Sequence, residues 1–145
     1  MRHALPGGLE LDDDPTRVDV EEVHRFLSTE SYWARGRSRD TVERLVREAD
    51  RLVGLYDGER QIGFARVVSD GVAFAYLADV YVLPAYRGRG LGIELVRETV
   101  EEGPYLGCKW LLHTSDAHGL YRKLGFGAPS ERLMERGHEG RAEQE

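Results

Sequence analysis

The sequence predicts one α/β (α+β) domain, a mixed and mostly antiparallel sheet of six to seven strands flanked by about four helices. Its 145 residues are enough for one hydrophobic core. Asp57-Gly58 and residues 69–71 are turn signals between apolar runs, which predicts consecutive antiparallel strands. A helical pattern then separates two further apolar runs, and a strand–helix–strand connection favours parallel pairing. The two kinds of connection together predict a mixed sheet.

The first half of the chain predicts one strand and two amphipathic helices. Residues 7–11 are the candidate strand. Asp19 followed by Glu22 has the spacing of a capping box and precedes a helical apolar face. Asp40 with Glu43 repeats the spacing, which predicts the start of a second helix.

The second half predicts the rest of the sheet. Strands are expected at residues 52–56, 61–68 and 72–83, and the third is apolar on both alternations, as in a central strand covered on both faces. The pattern then predicts a helix to about residue 102, a strand near Trp110, a short helix to 124 and a last strand reaching 134. The domain is expected to span residues 1–136, and the polar residues 137–145 to form a disordered tail.

The segment 80–92 is the most informative part of the sequence. An apolar strand runs into a proline and then into a glycine-rich turn with two arginines, directly before a helix. Backbone N–H groups of such a turn and of the helix start attract anions, which predicts a ligand that carries phosphate. The turn is not a P-loop, because no Lys-Ser/Thr pair follows the glycines. It is not the dinucleotide-binding pattern G-x-G-x-x-G either, because the position of the last glycine is Ile93 or Leu95, depending on the glycine at which the pattern starts.

Two motifs carry a family resemblance. Residues 87–92 fit the pattern R-x-x-G-x-G, and residues 120–126 read Leu-Tyr-Arg-Lys-Leu-Gly-Phe. With these motifs in this order and spacing, residues 52–126 resemble the GNAT superfamily of acyl-CoA-dependent N-acetyltransferases. The resemblance implies the acyl-CoA N-acyltransferase fold, with acetyl-CoA as acyl donor and a primary amine of a small molecule or peptide as acceptor. The amine would attack the thioester directly, without a covalent enzyme intermediate. The alternative is a domain that binds acyl-CoA without catalysis, as a sensor or interaction module.

Two residues are candidates for catalysis. The resemblance places the hydroxyl of Tyr121 beside the coenzyme A sulfur, where it would protonate the departing thiolate; the alternative is a tyrosine that packs its ring against the sheet. Asp79 is the one charged residue of the apolar run 72–83. A buried carboxylate must face a cavity or accept several hydrogen bonds. The resemblance implies that Asp79 is the base that deprotonates the amine, commonly through water; the alternative is an aspartate that fixes the local backbone. His118 is either a proton shuttle or a residue of the helix start.

The resemblance also implies the contacts to acetyl-CoA. Backbone groups of Val80 and Val82 would pair with the pantetheine arm and polarise the thioester carbonyl. Thr114 stands where many relatives have asparagine, which puts one contact in doubt. The other donor-binding residues implied are Arg87, Gly88, Arg89, Gly90, Leu91, Gly92 and Ala117.

The resemblance implies that a loop between the two predicted helices borders the acceptor groove, which makes this loop the candidate acceptor-binding segment. It contains Tyr32, Trp33, Arg35 and Arg37. The aromatic rings could cover an apolar or cationic acceptor, and the arginines could bind a carboxylate. Alternatively, Trp33 fills a place in the core and the arginines are solvated.

Composition argues against several other classes of function. The net charge of −6 speaks against a nucleic-acid partner, and no apolar run approaches the ~18 residues of a membrane span. The single cysteine, Cys108, rules out an internal disulfide and is expected to be a small buried hydrophobe. The five histidines lack metal-ligand spacing, so no metal is expected. With no signal-peptide pattern at the N-terminus, the cytoplasm is the expected compartment. The sequence allows a homodimer without specifying one.

Overall fold

A six-stranded sheet organises the computed structural model, which describes residues 1–137. Of the predicted tail, residues 138–145 lie outside the described residues. The strands are β1 (Arg2–Ala4), β2 (Leu9–Asp12), β3 (Arg51–Asp57), β4 (Arg60–Ser69), β5 (Phe74–Val82) and β6 (Lys109–Leu112). The helices are α1 (Val20–Thr29), α2 (Arg39–Glu48), α3 (Leu91–Glu101) and α4 (His118–Arg122).

The strands lie in the sheet in chain order, and the pairing changes sense once. β1 to β5 pair antiparallel, whereas β5 and β6 are parallel and are joined through α3. The predicted mixed, mostly antiparallel sheet with four helices is therefore confirmed. Buried side chains of α1, α3 and the sheet form the hydrophobic core, in which Phe26 and Leu95 are almost inaccessible to solvent. None of the helices in the described part of the chain is long and apolar enough to span a bilayer.

The helix starts show one correct and one wrong prediction. Asp19 caps α1, and its carboxylate accepts a hydrogen bond from the Glu22 N–H at 3.2 Å. The predicted cap at Asp40 is wrong. Ser38 caps α2 by accepting from the Thr41 N–H at 3.2 Å, and Asp40 lies in the first turn, where a negative charge favours the helix dipole.

The two ends of the sheet also differ from the prediction. The strand expected at 7–11 begins at Leu9, because Gly7 and Gly8 adopt positive φ and form a turn after the short additional strand β1. The strand expected to reach residue 134 is wrong, since residues 127–137 form no strand. Leu133 and Met134 are 41% and 91% exposed, and the preceding Ser, Glu and Arg offer no apolar face to bury.

β5 has two features that position the site. Its pairing with β6 ends at Leu77 opposite Leu112, so within the described sheet its last residues have a neighbouring strand on the β4 side only. A β-bulge follows, in which Asp79 and Val80 together face the single residue Ala65 of β4. Asp79 has φ of 56°, the one positive value among the described non-glycine residues. The gap beside β5 and the bulge lie at the same place in the sheet.

Candidate active site

Two cavities open on either side of the gap beside β5. The larger has a volume of about 740 Å³ and lies between β5, the α1–α2 loop and the β6–α4 loop. The smaller, of about 350 Å³, lies between the end of β5, the turn before α3 and α4. Val80, Ala117 and Tyr121 line both cavities. A molecule in one cavity can therefore meet a molecule in the other at these three residues.

The smaller cavity contains the predicted phosphate-binding turn. Gly88 and Gly90 have φ of 81° and 76°, a conformation that favours glycine, and no atom lies within 4 Å of where a Cβ would be. Gly90 is the N-cap of α3 and supplies no side-chain hydrogen bond, so the first N–H groups of the helix face the cavity without a capping side chain. The turn has the chemistry of an anion site.

The side chains around this turn differ in their surroundings. The Arg87 Nε donates to the Val82 carbonyl at 3.0 Å, which ties the turn to the end of β5. The Arg89 guanidinium lies over the ring of Tyr86 at 5.2 Å and does not line the cavity. Leu91 and Gly92 do, and a Cβ on Gly92 would approach Leu120 of α4 to 3.0 Å. Glycine at position 92 therefore allows α3 and α4 to pack closely.

Tyr121 lies at the junction of the two cavities. Its ring packs edge-on against Phe126, its side chain lines both cavities, and none of the side-chain hydrogen bonds within residues 1–137 involves its hydroxyl. Burial, helped by the charges of Tyr32 and Asp116, raises the pKa of Tyr121 to about 12. The hydroxyl therefore stays protonated at neutral pH and is free to donate a hydrogen bond to a ligand.

Asp79 lies on the wall of the larger cavity but is fully engaged by other side chains. Its Oδ2 accepts from the Arg66 Nε at 2.9 Å and from the Arg37 Nη1 at 3.1 Å. Its Oδ1 accepts from the Trp33 Nε1 at 2.9 Å and from the same Arg37 nitrogen at 3.2 Å. Burial alone would raise the pKa of Asp79, but Arg66, Arg37 and Trp33 hold it below its usual range. This carboxylate is ionised and tightly held.

Sequence reasoning missed Arg66, Tyr76 and His113, which all line the larger cavity. Arg66 had a visible signal, because it is the single charged residue inside an otherwise apolar strand, as Asp79 is in the next strand. Two such residues on neighbouring strands indicate a buried ion pair. His113, which is hydrogen-bonded to Tyr76 and Glu135, follows the end of β6 and had no comparable signal.

The predicted acceptor loop contributes part of the larger cavity. Tyr32, Trp33 and Arg37 line it, whereas Arg35 is exposed and lies outside it. The Tyr32 hydroxyl accepts from the Ser115 N–H at 2.8 Å, which joins this loop to the β6–α4 loop. Trp33 also packs against the hydrophobic core, so the two alternative roles considered for it are compatible.

The remaining sequence candidates lie around α4 and β6. Thr114 and Ala117 line the larger cavity, and the Thr114 Oγ1 accepts from the Ala117 N–H at 3.1 Å. His118 is exposed at the start of α4 and lines neither cavity. Cys108 is half-buried. No cluster of three or more histidine, cysteine or acidic side chains able to hold a metal forms within residues 1–137.

These features coincide with a known family. Residues 13–126 match the family described as the Acetyltransferase (GNAT) family. The chain belongs to this family. The resemblance recognised from the two sequence motifs is thus confirmed, and the match extends well beyond the region that contains them.

Individual relatives are similar to this chain over most of its length. A crystal structure of a GNAT-family protein from Xanthomonas campestris is 37% identical, with a TM-score of 0.86, and the similarity covers 96% of this chain and 99% of that one. A Gibberella zeae protein assigned as an acetyltransferase is 28% identical over 135 residues, covering 78% of this chain and 76% of its own length. The peptidyl-lysine N-acetyltransferase YjaB of Salmonella typhimurium is 27% identical over 110 residues, covering 76% and 70%.

Proposed function

We propose that the protein transfers an acetyl group from acetyl-CoA to a primary amine of a small molecule or peptide. The observation that carries this proposal is the meeting of two cavities at Tyr121, one lined by an anion-binding turn and the other by polar side chains. Acetyl-CoA is the acyl donor typical of the GNAT family, to which the chain belongs. The donor would occupy the smaller cavity and the acceptor the larger one.

The donor would be held mainly by backbone groups. Its pyrophosphate fits the turn at residues 87–92 and the uncapped start of α3, where N–H groups and the helix dipole favour negative charge. Its pantetheine arm would run along the free edge of β5 and pair with backbone groups of Val80 and Val82, because β6 leaves that edge after Leu77. Ala117, which lines both cavities, borders the same path toward the thioester, whereas Thr114 lines only the larger cavity.

The acyl transfer itself needs only a few groups. The lone pair of the amine attacks the thioester carbonyl carbon, the C–N bond forms, the C–S bond breaks, and the nitrogen loses one proton. Tyr121 would donate a hydrogen bond to the sulfur as negative charge develops there. With its pKa at about 12, this hydroxyl holds its proton more tightly than a thiol of pKa about 8.5 does. We therefore assign it stabilisation of the thiolate ahead of complete proton transfer.

We assign Asp79 a structural and electrostatic role. The proton of the amine would then be taken up by water, or the acceptor would lose it before binding. A general base must take up a proton, and a carboxylate bound by two guanidinium groups has a lowered pKa and little tendency to do so. Each oxygen of Asp79 already accepts two hydrogen bonds. Its charge instead orients Arg37, Arg66 and Trp33 along the cavity wall.

Isothermal calorimetry with acetyl-CoA, followed by an assay of free thiol across a broad panel of amines, tests the proposed function. We expect binding of acetyl-CoA and thiol release with at least one class of amine. Absence of binding at millimolar acetyl-CoA would refute the donor assignment. Binding without turnover of any amine would instead favour the alternative of a silent acyl-CoA-binding domain.

Tyr121→Phe tests the chemistry at the junction. The variant keeps the ring and its contact with Phe126, so acetyl-CoA affinity and thermal stability should stay near wild type. Loss of the hydroxyl should lower kcat by about 100-fold or more, the usual effect of removing a group that acts on the leaving atom. An unchanged kcat under conditions where chemistry limits the rate would exclude this role.

Gly90→Val tests the donor site. A β-branched side chain disfavours the φ of 76° at this position and adds bulk in the space where phosphate would approach. Calorimetry should show acetyl-CoA affinity at least about tenfold weaker, equivalent to about 1.4 kcal/mol, with an unchanged circular dichroism spectrum. Unaltered affinity would place the anion site elsewhere. Gly36→Val, at a similar φ of 81° in the α1–α2 loop and with equally open space, controls for backbone strain alone.

A further inference from the structure

The acceptor cavity contains a surplus of positive charge at one place on its wall. Arg37 and Arg66 both bind the single carboxylate of Asp79, so this group of three side chains carries one net positive charge. We propose that the acceptor amine also carries an anionic group, a carboxylate or a phosphate, which binds to Arg66 and Arg37. The inference rests on the proposed acetyltransferase function and names the substrate class for its acceptor site.

Arg66 has hydrogen-bond donors to spare. Its Nε bonds Asp79, whereas its two terminal nitrogens have no partner within residues 1–137. Its side chain is only 12% exposed, and it lines the larger cavity. These terminal nitrogens form the planar fork that pairs with two oxygens of a carboxylate or phosphate.

Arg37 adds a second guanidinium group with unused donors. One terminal nitrogen, Nη1, contacts both oxygens of Asp79, while Nε and Nη2 have no partner within the described chain. The side chain is 21% exposed and lines the same cavity. Each oxygen of Asp79 already accepts two hydrogen bonds, so it cannot accept more from the two arginines. The unused donors of both arginines are therefore available to a ligand.

Negative charge lies elsewhere around the cavity. Asp116 belongs to the cavity wall and is close enough to Tyr121 to influence its pKa, which places an acidic group on the side where the amine must react. Glu135, which pairs with His113, adds a second carboxylate to the lining, next to the basic Arg136. An acceptor with an ammonium group near Tyr121 and an anionic group at Arg66 complements this distribution of charge.

The size of the cavity favours a small molecule. Its volume of about 740 Å³ lies within the range of about 300–1,000 Å³ that is usual for small-molecule sites. An amino acid or an amine phosphate fits that volume and supplies both charges. A lysine side chain within a neutral peptide supplies the amine but no group for Arg66.

The first experiment gives the wild-type protein matched pairs of amines, in which one member has an anionic group and the other is neutral at that position. The pairs are α-amino acids with their amides and phosphoethanolamine with ethanolamine, together with a capped lysine peptide free of acidic residues. We expect kcat/KM for the preferred anionic amine to exceed that of its neutral partner by about tenfold or more. The two kinds of pair separate a carboxylate from a phosphate as the recognised group.

Other outcomes would overturn the inference. Equal turnover of anionic and neutral partners, or preference for the neutral lysine peptide, would reject it and leave the acetyltransferase function intact. Acetyl-CoA binding without turnover of any amine, anionic or neutral, would reject it and favour the silent binding domain. Failure to bind acetyl-CoA would reject the proposed function itself.

Variants of the two arginines assign the effect to specific residues. Arg66→Lys and Arg37→Lys keep the charge beside Asp79 but lose the fork. Each should lower kcat/KM for the anionic amine by about tenfold and that for its neutral partner far less. Arg44→Lys on the surface of α2, where the side chain is 71% exposed, is the matched control and should leave kcat/KM for both amines unchanged.

Thermal melts identify a variant that fails to fold. Equal loss for both members of a pair in folded variants would show that the arginines act structurally, and would overturn the assignment.

Discussion

Asp79 and Glu98 are two of the buried carboxylates that have arginine partners, and their surroundings differ. Asp79 lies beside a cavity with two arginines and a tryptophan, and both of its oxygens are fully hydrogen-bonded. Glu98 of α3 lies in the interior next to Arg51, with its Oε2 at 3.6 Å from the guanidinium and without a hydrogen bond. The Asp79 group has a surplus of positive charge and faces a cavity. The Glu98 group is closed, lines neither cavity and has no such surplus, because Asp13 shares Arg51 and is itself paired with the N-terminal ammonium.

The difference shows which buried charges are candidates for ligand binding. Arg51 is 7% exposed, and its terminal nitrogens donate to carbonyl oxygens of α3 and to Asp13, so it joins β3 to α3 and to the N-terminal segment. Its Nε has no partner but is buried, out of reach of either cavity. Gly103 belongs to this arrangement, because a Cβ there would lie 2.5 Å from the Arg51 Nη1. Arg66 and Arg37, by contrast, have unused donors that reach a cavity. A buried ion pair with donors directed at open space is the stronger functional candidate.

Asp79→Asn should have the largest effect on stability. Asparagine tolerates the positive φ at this position, so the substitution removes the charge without adding backbone strain. It leaves Arg37 and Arg66 close together without a carboxylate between them, which should destabilise the fold by about 3 kcal/mol. Chemical denaturation measures this loss. The pH profile of kcat/KM should keep its acidic limb, and loss of that limb would reinstate Asp79 as the base.

The pH dependence of stability should follow the same carboxylate. Because the pKa of Asp79 is lowered in the folded state, its contribution to stability is complete above the ordinary carboxyl range of about 4 and is lost as the pH falls below it. Denaturation of the wild type at a series of acidic pH values should show this loss. Asp79→Asn should show a shallower decline, and parallel curves for the two proteins would contradict the prediction.

Glu98→Gln makes the same chemical change at the closed cluster and should have a much smaller effect. In the wild type the His3 Nδ1 lies 3.0 Å from the Glu98 Oε1, and glutamine can keep this contact. Asp13 remains paired with Arg51. Because the Glu98 Oε2 has no hydrogen bond to lose and Asp13 still pairs with Arg51, the free energy of unfolding should fall clearly less than in Asp79→Asn. A loss as large as that of Asp79→Asn would show that the two clusters are energetically equivalent.

Arg35→Gln should have the smallest effect. Arg35 precedes Arg37 by two residues but is exposed and lies outside the cavity, so acceptor kinetics should stay within about twofold of wild type. Arg37→Gln in the same loop provides the comparison, and should weaken turnover of an anionic amine. A reduced kcat/KM in Arg35→Gln would restore the role that the sequence suggested for this residue.

Local patterns predicted most of the fold and the glycine-rich turn that is the proposed donor site. The turn at residues 87–92, the hairpin at Asp57-Gly58 and the cap at Asp19 each depend on a few consecutive residues, so they could be recognised without knowledge of the tertiary structure. The predicted last strand failed because its only apolar residues are adjacent and lie on opposite faces of an extended chain. The cap at Ser38 was missed because Asp40 and Glu43 have the same spacing as a true capping box.

The acceptor side depends on contacts between distant residues. Arg66 and Asp79 are thirteen positions apart and meet because a bulge in β5 offsets the register by one residue. Arg37 reaches the same carboxylate from a loop forty-two positions earlier in the chain. Sequence periodicity does not predict contacts between residues so far apart in the chain. The single charges of Arg66 and Asp79 in their strands do, however, suggest that each has a partner.

The hydrogen bond from the Ser115 N–H to the Tyr32 hydroxyl makes the width of the acceptor cavity measurable in solution. The two loops that it joins form facing walls, so widening of the cavity must break this bond. Because Ser115 is exposed, its amide hydrogen should exchange with solvent whenever the bond opens. The exchange rate of this one amide, followed by NMR as ligands are added, would therefore report how often the walls separate and whether a bound acceptor holds them together.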